Sequence, residues 1–229
     1  MTSNQQCVYE SLISSANSAV AFWSFYAREN CNTKVIPDGC RDIIVVEKND
    51  LKSPIWFVSE LSDSIYDVDS CAGDKMRGIR LEPGTQIDQL ALNQWVKTRS
   101  IDELFIGDQI DEFCERSTSL VGALQCLCNN EIDSVQKAAH ELGVSPRTLQ
   151  RLIKSETQRT PCFWLSLARA RRAVKALYKF DRLIDVAFAC NFSDQAHMTR
   201  DMKRWFDLSP SQIKRNPELL SLLSEPGYV

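Results

Sequence analysis

The sequence contains the same two-helix pattern twice, in residues 135–154 and 184–203. When the two segments are aligned, apolar positions fall on apolar positions and basic positions on basic ones, so that Arg151 aligns with Arg200. Each segment therefore predicts a short helix followed by a helix with one apolar and one basic face. An internal repeat of this kind constrains the architecture more than any single motif does.

The first copy carries helix start and stop signals in the order that a helix-turn-helix requires. Asp133 is a good N-cap for the first helix, and Gly143 is typical of a helix C-terminus. Ser145 and Pro146 then supply an N-cap and a favoured first residue for the second helix. Two helices joined by a glycine turn within about 20 residues are the helix-turn-helix pattern.

The second copy follows a long predicted helix over residues 161–178, which begins at Thr160-Pro161. Its first helix begins after Asp181 and contains the apolar residues Ile184, Ala187 and Phe188. Asn191 stands where the first copy has its turn glycine, and Ser193 or Asp194 is expected to cap the last helix. The second turn is one residue longer than the first.

The basic residues are concentrated in this helical part of the chain. The whole sequence has a net charge of −3, but residues 1–130 hold 11 basic and 19 acidic residues, a net of −8, whereas residues 131–229 hold 16 and 11, a net of +5. Residues 147–215 alone carry 15 basic and 6 acidic residues, a net of +9. Such asymmetry between the two halves indicates a nucleic-acid or membrane partner on the basic side.

The basic face of the first repeat has the chemistry of base recognition. Arginine can bond guanine in a bidentate way and glutamine can bond adenine, so Arg147, Gln150 and Arg151 are candidate base contacts. Lysine and further arginine side chains suit phosphates, which give affinity and salt dependence rather than sequence choice. On the expectation that they are exposed, the residues assigned to phosphates are Arg169, Arg171, Arg172, Lys203 and Arg204.

The first 85 residues predict a different kind of structure, with short strands at regular spacing. Apolar or aromatic runs predict strands at 19–27, 43–46, 55–58 and 76–81, with a turn at Pro37-Asp38-Gly39. From residue 86 the spacing becomes helical. Two or three helices are expected between 86 and 130, with Asn129-Asn130 as a linker. The fold class is therefore α+β, with a small barrel or sandwich preceding an all-helical domain.

Several function classes find no support in the sequence. There is no apolar run long enough to span a bilayer and no signal-peptide pattern, so we expect a cytoplasmic protein without a membrane partner. The nine cysteines contain no Cys-x-x-Cys pair, and no metal site is expected. Phosphate-binding, dinucleotide-binding and hydrolase motifs are absent, and the acidic half has no histidine. No catalytic residue and no cofactor are predicted.

Residues 131–216 resemble the DNA-binding domain of AraC/XylS-type transcription regulators. The matching segments are AAHELGVSPRTLQRLIK (138–154), TPCFWLSLARARRAVKAL (160–177) and IDVAFACNFSDQAHMTRDMKRWFDLSPSQIKR (184–215). The last segment contains the Phe-x-x-Ser-Pro-x-x-x-x-Arg ending that resembles the most diagnostic family signature. Four positions depart from the family pattern, because Gln158, Asn191 and Asp207 stand where the family usually has glycine and Met198 replaces a usual phenylalanine.

The resemblance implies that the outward faces of both recognition helices contact DNA. On the second helix these positions are Gln195, Ala196, His197 and Arg200. Together with the basic residues on the two faces, the complete predicted DNA-binding set is Ser145, Arg147, Gln150, Arg151, Lys154, Gln195, Ala196, His197, Arg200, Lys203 and Arg204.

The N-terminal segments 20–27, 34–46 and 77–85 resemble the cupin-like sensor domain of one group of these regulators. Cupins that bind metals rely on histidine, which this part lacks, so the resemblance implies an organic effector or a role in packing and dimerisation. Four polar or aromatic residues are candidates either for a ligand pocket or for the core, namely Trp23, Trp56, Arg41 and Arg80.

The sequence thus predicts a sequence-specific transcription regulator, not an enzyme, with double-stranded DNA as its main partner. A small-molecule effector, RNA polymerase and a second copy of the chain are the further partners to be considered. The predicted domains are a sensor at 1–85, a helical linker or dimerisation segment at 86–130 and the DNA-binding domain at 131–229. Two alternatives stay open, a redox-responsive regulator using Cys126 with Cys128 or Cys31 with Cys40, and a ligand-binding domain without a regulatory role.

Overall fold

The structure is a computed structural model that describes residues 6–48 and 52–229, except for the side chain of Glu218. It divides into two compact units. The N-terminal unit contains the described residues up to Val35 together with those in 40–61 and 66–116. The C-terminal unit contains 36–39, 62–65 and 117–229. Apart from the short segments 36–39 and 62–65, the boundary between the two units lies between Arg116 and Ser117. The functional limits at 85 and 130 stay predictions.

The N-terminal unit is built from nine short strands and the helical segments that pack on them. Among the described residues the strands are β1 Cys7–Ile13, β2 Ala19–Ala27, β3 Cys31–Val35, β4 Asp42–Glu47, β5 Ile55–Val58, β6 Tyr66–Ser70, β7 Lys75–Leu81, β8 Gln86–Ile87 and β9 Cys114–Glu115. Five of them form an antiparallel sheet in the order β1-β2-β7-β4-β5. The pairs β3-β6 and β8-β9 form separate two-stranded ribbons. The β-rich prediction is confirmed. Strand β6 was not foreseen, and neither was the ribbon β8-β9, which lies in the stretch predicted to be helical.

One end of the five-stranded sheet is covered by helical segments. These are α1 Gln89–Val96 and two 3-10 helices, Ile101–Phe105 and Gln109–Phe113. Ile43 and Ile79 of the sheet are fully buried in a cluster with Leu92, Leu104 and Ile110. Burial of this apolar surface is the main favourable contribution to the stability of the unit.

A tryptophan of β2 fixes the identity of one residue on the neighbouring strand. Trp23 is paired with Gly78 of β7, and its ring lies over that glycine. A Cβ atom at residue 78 would come within 2.1 Å of the Trp23 Cε2 atom, so no side chain fits there without displacing the indole.

The C-terminal unit is helical. Its helices are α2 Thr118–Cys128, α3 Val135–Glu141, α4 Pro146–Thr157, α5 Pro161–Ala176, α6 Leu183–Ala189, α7 Gln195–Phe206, α8 Pro210–Lys214 and α9 Pro217–Leu223. Both predicted helix-turn-helix units are present, as α3-α4 and α6-α7, and the second turn is the longer. No helix in the described part of the chain is long and apolar enough to cross a membrane.

Most of the predicted caps are confirmed. Ser145 accepts a hydrogen bond from the Thr148 N–H at the start of α4, and Thr160 accepts one from the Phe163 N–H at the start of α5. Asp194 caps α7. The prediction for α3 was wrong, because Ser134 supplies the cap. Its hydroxyl accepts the Lys137 N–H.

Helix α6 buries less of its apolar surface than its sequence suggests. Val186 and Ala187 are buried, but Phe188 is 64% exposed and Ile184 is 36% exposed. A helix of seven residues has only two turns and contacts the core through one of its sides, so Ile184 and Phe188, four residues apart, share the outward side.

The three residues that replace family glycines all adopt the left-handed conformation. Gln158, Asn191 and Asp207 have φ angles of 57°, 58° and 52°, and they are the non-glycine residues with positive φ in the described ranges. Gln158 and Asp207 end α4 and α7, where glycine is favoured because it has no Cβ to clash in this conformation.

Replacing Gln158 with glycine should therefore stabilise the protein. Gln158 is exposed and holds a backbone conformation that is unfavourable for a residue with a Cβ atom. Glycine adopts this conformation without that cost, so we expect the free energy of unfolding to rise by about 0.5–1 kcal/mol. Urea unfolding of the full chain measures the change. Asp207→Gly should give a smaller gain, since aspartate tolerates this conformation better than glutamine does.

The matched control is Ser155→Gly, an exposed position within the same helix. There the substitution should lower the free energy of unfolding by about 0.5 kcal/mol, because glycine is a poorer helix former than serine. Equal losses at positions 155 and 158 would contradict the argument from backbone conformation.

Candidate nucleic-acid interface

Helix α4 presents a polar, basic surface and buries the opposite side. Leu149 and Ile153 are 1% and 0% exposed, which fixes the rotation of the helix. The side chains predicted to contact DNA all lie on the other side and are exposed, namely Arg147, Gln150, Arg151 and Lys154. Ser145 is exposed at the N-terminus, where its hydroxyl holds the first turn in place. The structure therefore brings the first predicted set together on one surface.

Helix α7 repeats this arrangement. Its buried residues Met198, Met202, Trp205 and Phe206 are all 0% exposed. The predicted contact residues on its other side are exposed, namely Gln195, Ala196, Arg200, Lys203 and Arg204. Two independent helices thus carry an arginine at matching places on their outward faces, as the sequence repeat predicts.

His197 differs from the other predicted contacts. It is half-buried, and its ring stands edge-on to Phe192 with the ring centroids 5.3 Å apart. Its Nδ1 atom lies 3.1 Å from the Ser193 hydroxyl oxygen, and its Nε2 atom lies 3.7 Å from Asp201 Oδ2. His197 therefore contacts residues both in the turn before α7 and within α7, and these contacts stabilise the turn.

The carboxylate that caps α7 is held ionised by its surroundings. Asp194 accepts the backbone N–H of His197 at 2.6 Å, and this hydrogen bond is the main cause that lowers the pKa of its carboxyl group. The positive charge of Arg200 lowers it further. The negative charge is favourable at a helix N-terminus, where the backbone N–H groups point outward.

A single helix connects the two recognition helices through buried hydrogen bonds. The indole Nε1 of Trp164 in α5 donates to Thr157 Oγ1 at the end of α4, at 3.1 Å. The indole Nε1 of Trp205 in α7 donates to Ser166 Oγ of α5, at 2.8 Å. The ring of Phe163 contacts both indoles, with centroid distances of 5.3 and 5.1 Å. Both outward faces are therefore fixed relative to α5.

Three arginines assigned to phosphates donate to backbone carbonyl oxygens within the C-terminal unit instead. Arg171 is only 2% exposed and donates to the Glu225 carbonyl oxygen at 2.6 Å. Arg172 is half-buried and donates to the Cys128 carbonyl oxygen at 2.6 Å, and burial lowers the pKa of its guanidinium. Arg169 donates to the Asp133 carbonyl oxygen and lies over the ring of Phe192. The expectation that they are exposed for phosphates was wrong because α5 is surrounded by other helices.

Sequence reasoning missed one residue of the α4 surface. Thr148 is exposed and lies one turn before Arg151, so the two side chains share a side of the helix. Its hydroxyl is 2.9 Å from that of Ser145. The spacing of three residues from Arg151 was the signal that could have identified it.

The residues that the structure describes contain no metal centre, and the two thiols of the Cys126–Cys128 alternative have different partners. Within residues 6–48 and 52–229, no group of His, Cys, Asp or Glu side chains could hold a metal ion. Cys126 and Cys128 contact different carbonyl oxygens, those of Ala138 and Tyr228. Burial raises the pKa of both thiols, which lowers their thiolate content.

The four pocket-or-core candidates of the N-terminal unit all make internal contacts. Asp42 accepts the Trp23 indole N–H at 3.3 Å and lies 3.5 Å from Arg80 Nε. Arg41 donates to the Thr85 carbonyl oxygen at 2.6 Å, and Trp56 packs against the buried cluster. These contacts give each of the four a structural role.

A family model described as a helix-turn-helix domain matches residues 138–216. The match begins within α3 and extends just beyond α8, so it contains both recognition helices and α5 between them. This match agrees with the resemblance of residues 131–216 to the DNA-binding domain of AraC/XylS-type regulators.

Curated relatives are similar to this chain over a little more than half of its length. The HTH-type transcriptional activator RhaS of Yersinia pestis (strain Pestoides F) is 29% identical over 132 residues, which are 56% of this chain and 48% of RhaS. The RhaS of Yersinia pseudotuberculosis serotype O:1b gives the same values. The chain spans about half the length of the curated relatives it matches.

Solved structures with the same kind of domain are also similar to the chain. A transcriptional regulator of Chromobacterium violaceum with an AraC-type DNA-binding domain is 25% identical, with a TM-score of 0.39, and the match covers 47% of this chain and 94% of that one. ToxT of Vibrio cholerae is 10% identical with a TM-score of 0.43 and matches 93% of this chain and 98% of its own.

Removing the buried Arg171 should destabilise the protein without touching the outward faces. Arg171→Ala leaves a cavity beside α5 and takes a hydrogen-bond donor from the Glu225 carbonyl oxygen, so we expect the free energy of unfolding to fall by about 2–4 kcal/mol. Chemical unfolding followed by circular dichroism measures the loss.

The control is Arg151→Ala, which removes the same side chain from an exposed position of α4. Its effect on the free energy of unfolding should stay within about 0.5 kcal/mol. If Arg171→Ala left stability unchanged, the assignment of this arginine to the interior would be wrong.

Proposed function

We propose that the chain is a sequence-specific, DNA-binding transcription regulator that reads two adjacent major-groove segments with α4 and α7. The observation that carries this proposal is the pair of capped helices with exposed basic faces, both fixed to α5 by buried indole hydrogen bonds. A solvated basic helix face is common by itself. A protein that reads two adjacent groove segments needs two such faces at a fixed distance, and here both are held by one rigid helix.

The residue types on the two faces fit defined parts of a DNA duplex. Arginine at 147, 151 and 200 suits guanine, and glutamine at 150 and 195 suits adenine. Ala196 offers a methyl group to thymine. Ser145 at a helix N-terminus, and the remaining cations Lys154, Lys203 and Arg204, suit phosphates. His197, with Ser193 and Asp201 at its two ring nitrogens, is proposed to position the start of α7 as well as to contact DNA.

Both recognition helices are fixed to the same part of α5. The hydrogen bonds of Trp164 with Thr157 and of Trp205 with Ser166 lie within the first six residues of that helix. One rigid element therefore sets the distance between the two outward faces, and successive major-groove segments on one side of a duplex are about 34 Å apart.

We propose further that the regulator acts in the cytoplasm as an activator and has no catalytic activity. The relatives named RhaS are described as transcriptional activators, which makes RNA polymerase a partner to test. The β-rich unit would sense a small-molecule effector or join two copies of the chain into a homodimer. Size-exclusion chromatography with light scattering, together with transcription from a bound promoter, tests these roles.

Selection from a random-sequence duplex library by the full chain tests DNA recognition directly. We expect enrichment of a motif with two conserved blocks whose centres are about 10 bp apart, because the two helices enter successive major-groove turns. A selection that enriches no sequence, at salt concentrations where non-specific binding is weak, would contradict the proposed function.

On the selected duplex, Arg151→Ala and Arg200→Ala should each weaken binding by about 1–3 kcal/mol, or roughly 5–150-fold, and relax the preference at one block only. Each removes a candidate bidentate contact from one recognition helix. Lys203→Ala should weaken binding to all sequences and reduce the slope of log affinity against log salt by about 1. Fluorescence anisotropy across a salt series measures both effects.

Arg28→Ala is the matched control, because it removes an exposed positive charge from the N-terminal unit. Its affinity and salt slope should equal those of the unmodified protein. If Arg28→Ala and Arg151→Ala weakened binding equally, the effect would come from net charge and not from the α4 surface.

A further inference from the structure

His197 lies at the end of a chain of polar contacts that begins in the core of the C-terminal unit. The indole Nε1 of the fully buried Trp205 donates to Ser166 Oγ at 2.8 Å, and Ser166 Oγ lies 3.4 Å from Asp201 Oδ2. The same carboxylate oxygen lies 3.7 Å from His197 Nε2, in the first turn of α7. The contacts therefore connect a buried indole to the surface that carries the predicted DNA contacts.

The direction of these hydrogen bonds follows from which groups can donate. An indole N–H only donates, so the Ser166 hydroxyl accepts from Trp205 and donates its own proton to Asp201. An ionised carboxylate only accepts, so the proton of a neutral His197 ring lies on Nε2, the nitrogen that faces Asp201. The other nitrogen, Nδ1, lies 3.5 Å from the backbone N–H of Ser193, which can only donate. Both sides of the ring therefore give the same tautomer.

Protonation of the ring changes what the Ser193 hydroxyl can donate to DNA. Ser193 Oγ lies 3.1 Å from His197 Nδ1, and Nδ1 of the neutral ring accepts the hydroxyl proton. When Nδ1 gains a proton, it becomes the donor, the Ser193 oxygen accepts, and the hydroxyl proton turns outward. Ser193 is exposed, so this proton can reach a phosphate oxygen. The ring keeps a hydrogen-bond partner at each nitrogen in both states.

Protonation also changes the charge that α7 presents to a duplex. When the ring is neutral, Asp201 leaves an uncompensated negative charge four residues from His197 on the recognition helix. The imidazolium balances that charge. Because phosphates attract positive and repel negative groups, DNA binding favours the protonated ring. Histidine is the side chain that ordinarily changes its charge between pH 5 and pH 8.

Other charged groups near the ring come from the cap of α7, from α7 itself and from α5, namely Asp194, Arg200 and Arg169. Asp194 accepts the His197 backbone N–H at 2.6 Å, so its carboxylate favours the imidazolium. Arg200 lies near Asp194 and opposes this effect. Arg169 lies over the ring of Phe192, the residue that His197 meets edge-on. Asp201 is in contact with the ring itself, and Coulomb energies fall with distance, so its effect on the ring is the largest.

We propose that Asp201 is a positioning residue that makes the DNA contact of α7 depend on a proton of His197. It holds the ring with Nε2 at the carboxylate and Nδ1 at Ser193, and it stabilises the imidazolium. The protein then binds its DNA more tightly at pH 6 than at pH 8 and takes up a proton on binding. This inference rests on the proposed function, since it describes how α7 contacts DNA.

Fluorescence anisotropy of the full chain on the selected duplex, from pH 6 to pH 8 at constant ionic strength, tests the proposal. We expect the affinity to fall by about 3–10-fold over this range, with a slope of log affinity against pH between about 0 and −1, because one proton is bound. The slope of log affinity against log salt should be steeper at pH 6 than at pH 8, by up to about 1.

Two variants of the contact pair separate the proton of His197 from other effects of pH. His197→Gln keeps a polar side chain that does not titrate, so its affinity should be the same at pH 6 and pH 8. Asp201→Asn keeps an oxygen that can accept from Nε2 but loses the charge that stabilises the imidazolium. Its pH dependence should move to lower pH, and circular dichroism verifies that both variants are folded.

The matched control is His140→Gln, because the chain contains two histidines and His140 is exposed on α3. This variant should keep the full pH dependence of DNA binding. A pH dependence that disappears in His140→Gln, or that persists unchanged in His197→Gln or Asp201→Asn, would overturn the proposal.

The position of the ring proton can be tested without DNA. Long-range proton–nitrogen NMR spectra of the free full chain at pH 8 distinguish the two tautomers, and comparison with His140→Gln assigns the signals to His197. We expect the proton on Nε2, and a proton on Nδ1 would contradict the role of Asp201.

The proposed function and this inference can fail separately. A random-library selection that enriches no sequence contradicts DNA recognition itself. A selected duplex that is bound with equal affinity at pH 6 and pH 8 leaves DNA recognition in place and overturns only the role of His197 and Asp201.

Discussion

The C-terminal unit depends on one helix that has almost no free surface. Helix α5 contacts α2, α3, α4, α6, α7 and α9, and most of its apolar residues are fully buried. The indoles of Trp164 and Trp205 bury large apolar surfaces while each donates its N–H to a hydroxyl group on a neighbouring helix. Buried polar groups that are fully paired fix one arrangement of the helices, because any other arrangement leaves them unsatisfied.

This central helix also explains how a domain with many arginines keeps only some of them for DNA. Arg171 and Arg172 serve as long donors that reach the carbonyl oxygens of Glu225 and Cys128, at the ends of other elements. Arg147, Arg151 and Lys154 of α4 and Arg200, Lys203 and Arg204 of α7 are exposed instead. Part of the high positive charge of residues 147–215 therefore serves the structure around α5, and part lies on the surfaces of the two recognition helices.

Much of the fold could be predicted because local signals agree with one another. The strands at Ala19–Ala27 and Ile55–Val58 have the predicted limits, and the caps at Ser145 and Thr160 are those that the sequence suggests. The glycine replacements behave as the resemblance implies, since Gln158 adopts the backbone conformation that glycine would favour. What failed needed contacts from elsewhere in the chain: the cap of α3, the outward position of Phe188 and strand β6 all depend on neighbours distant in sequence.

The sequence by itself determined the two recognition helices and the side of each that carries charge, because helix periodicity and capping depend on residues only a few positions apart. The grouping of Arg147, Arg151 and Arg200 on outward faces followed from that periodicity. Only the tertiary structure decided that Arg171 is buried. A periodic pattern identifies the apolar side of a helix, but it does not show how many other helices surround that helix. Strand pairing likewise joins residues that are far apart in sequence, and no local pattern indicates which strands pair.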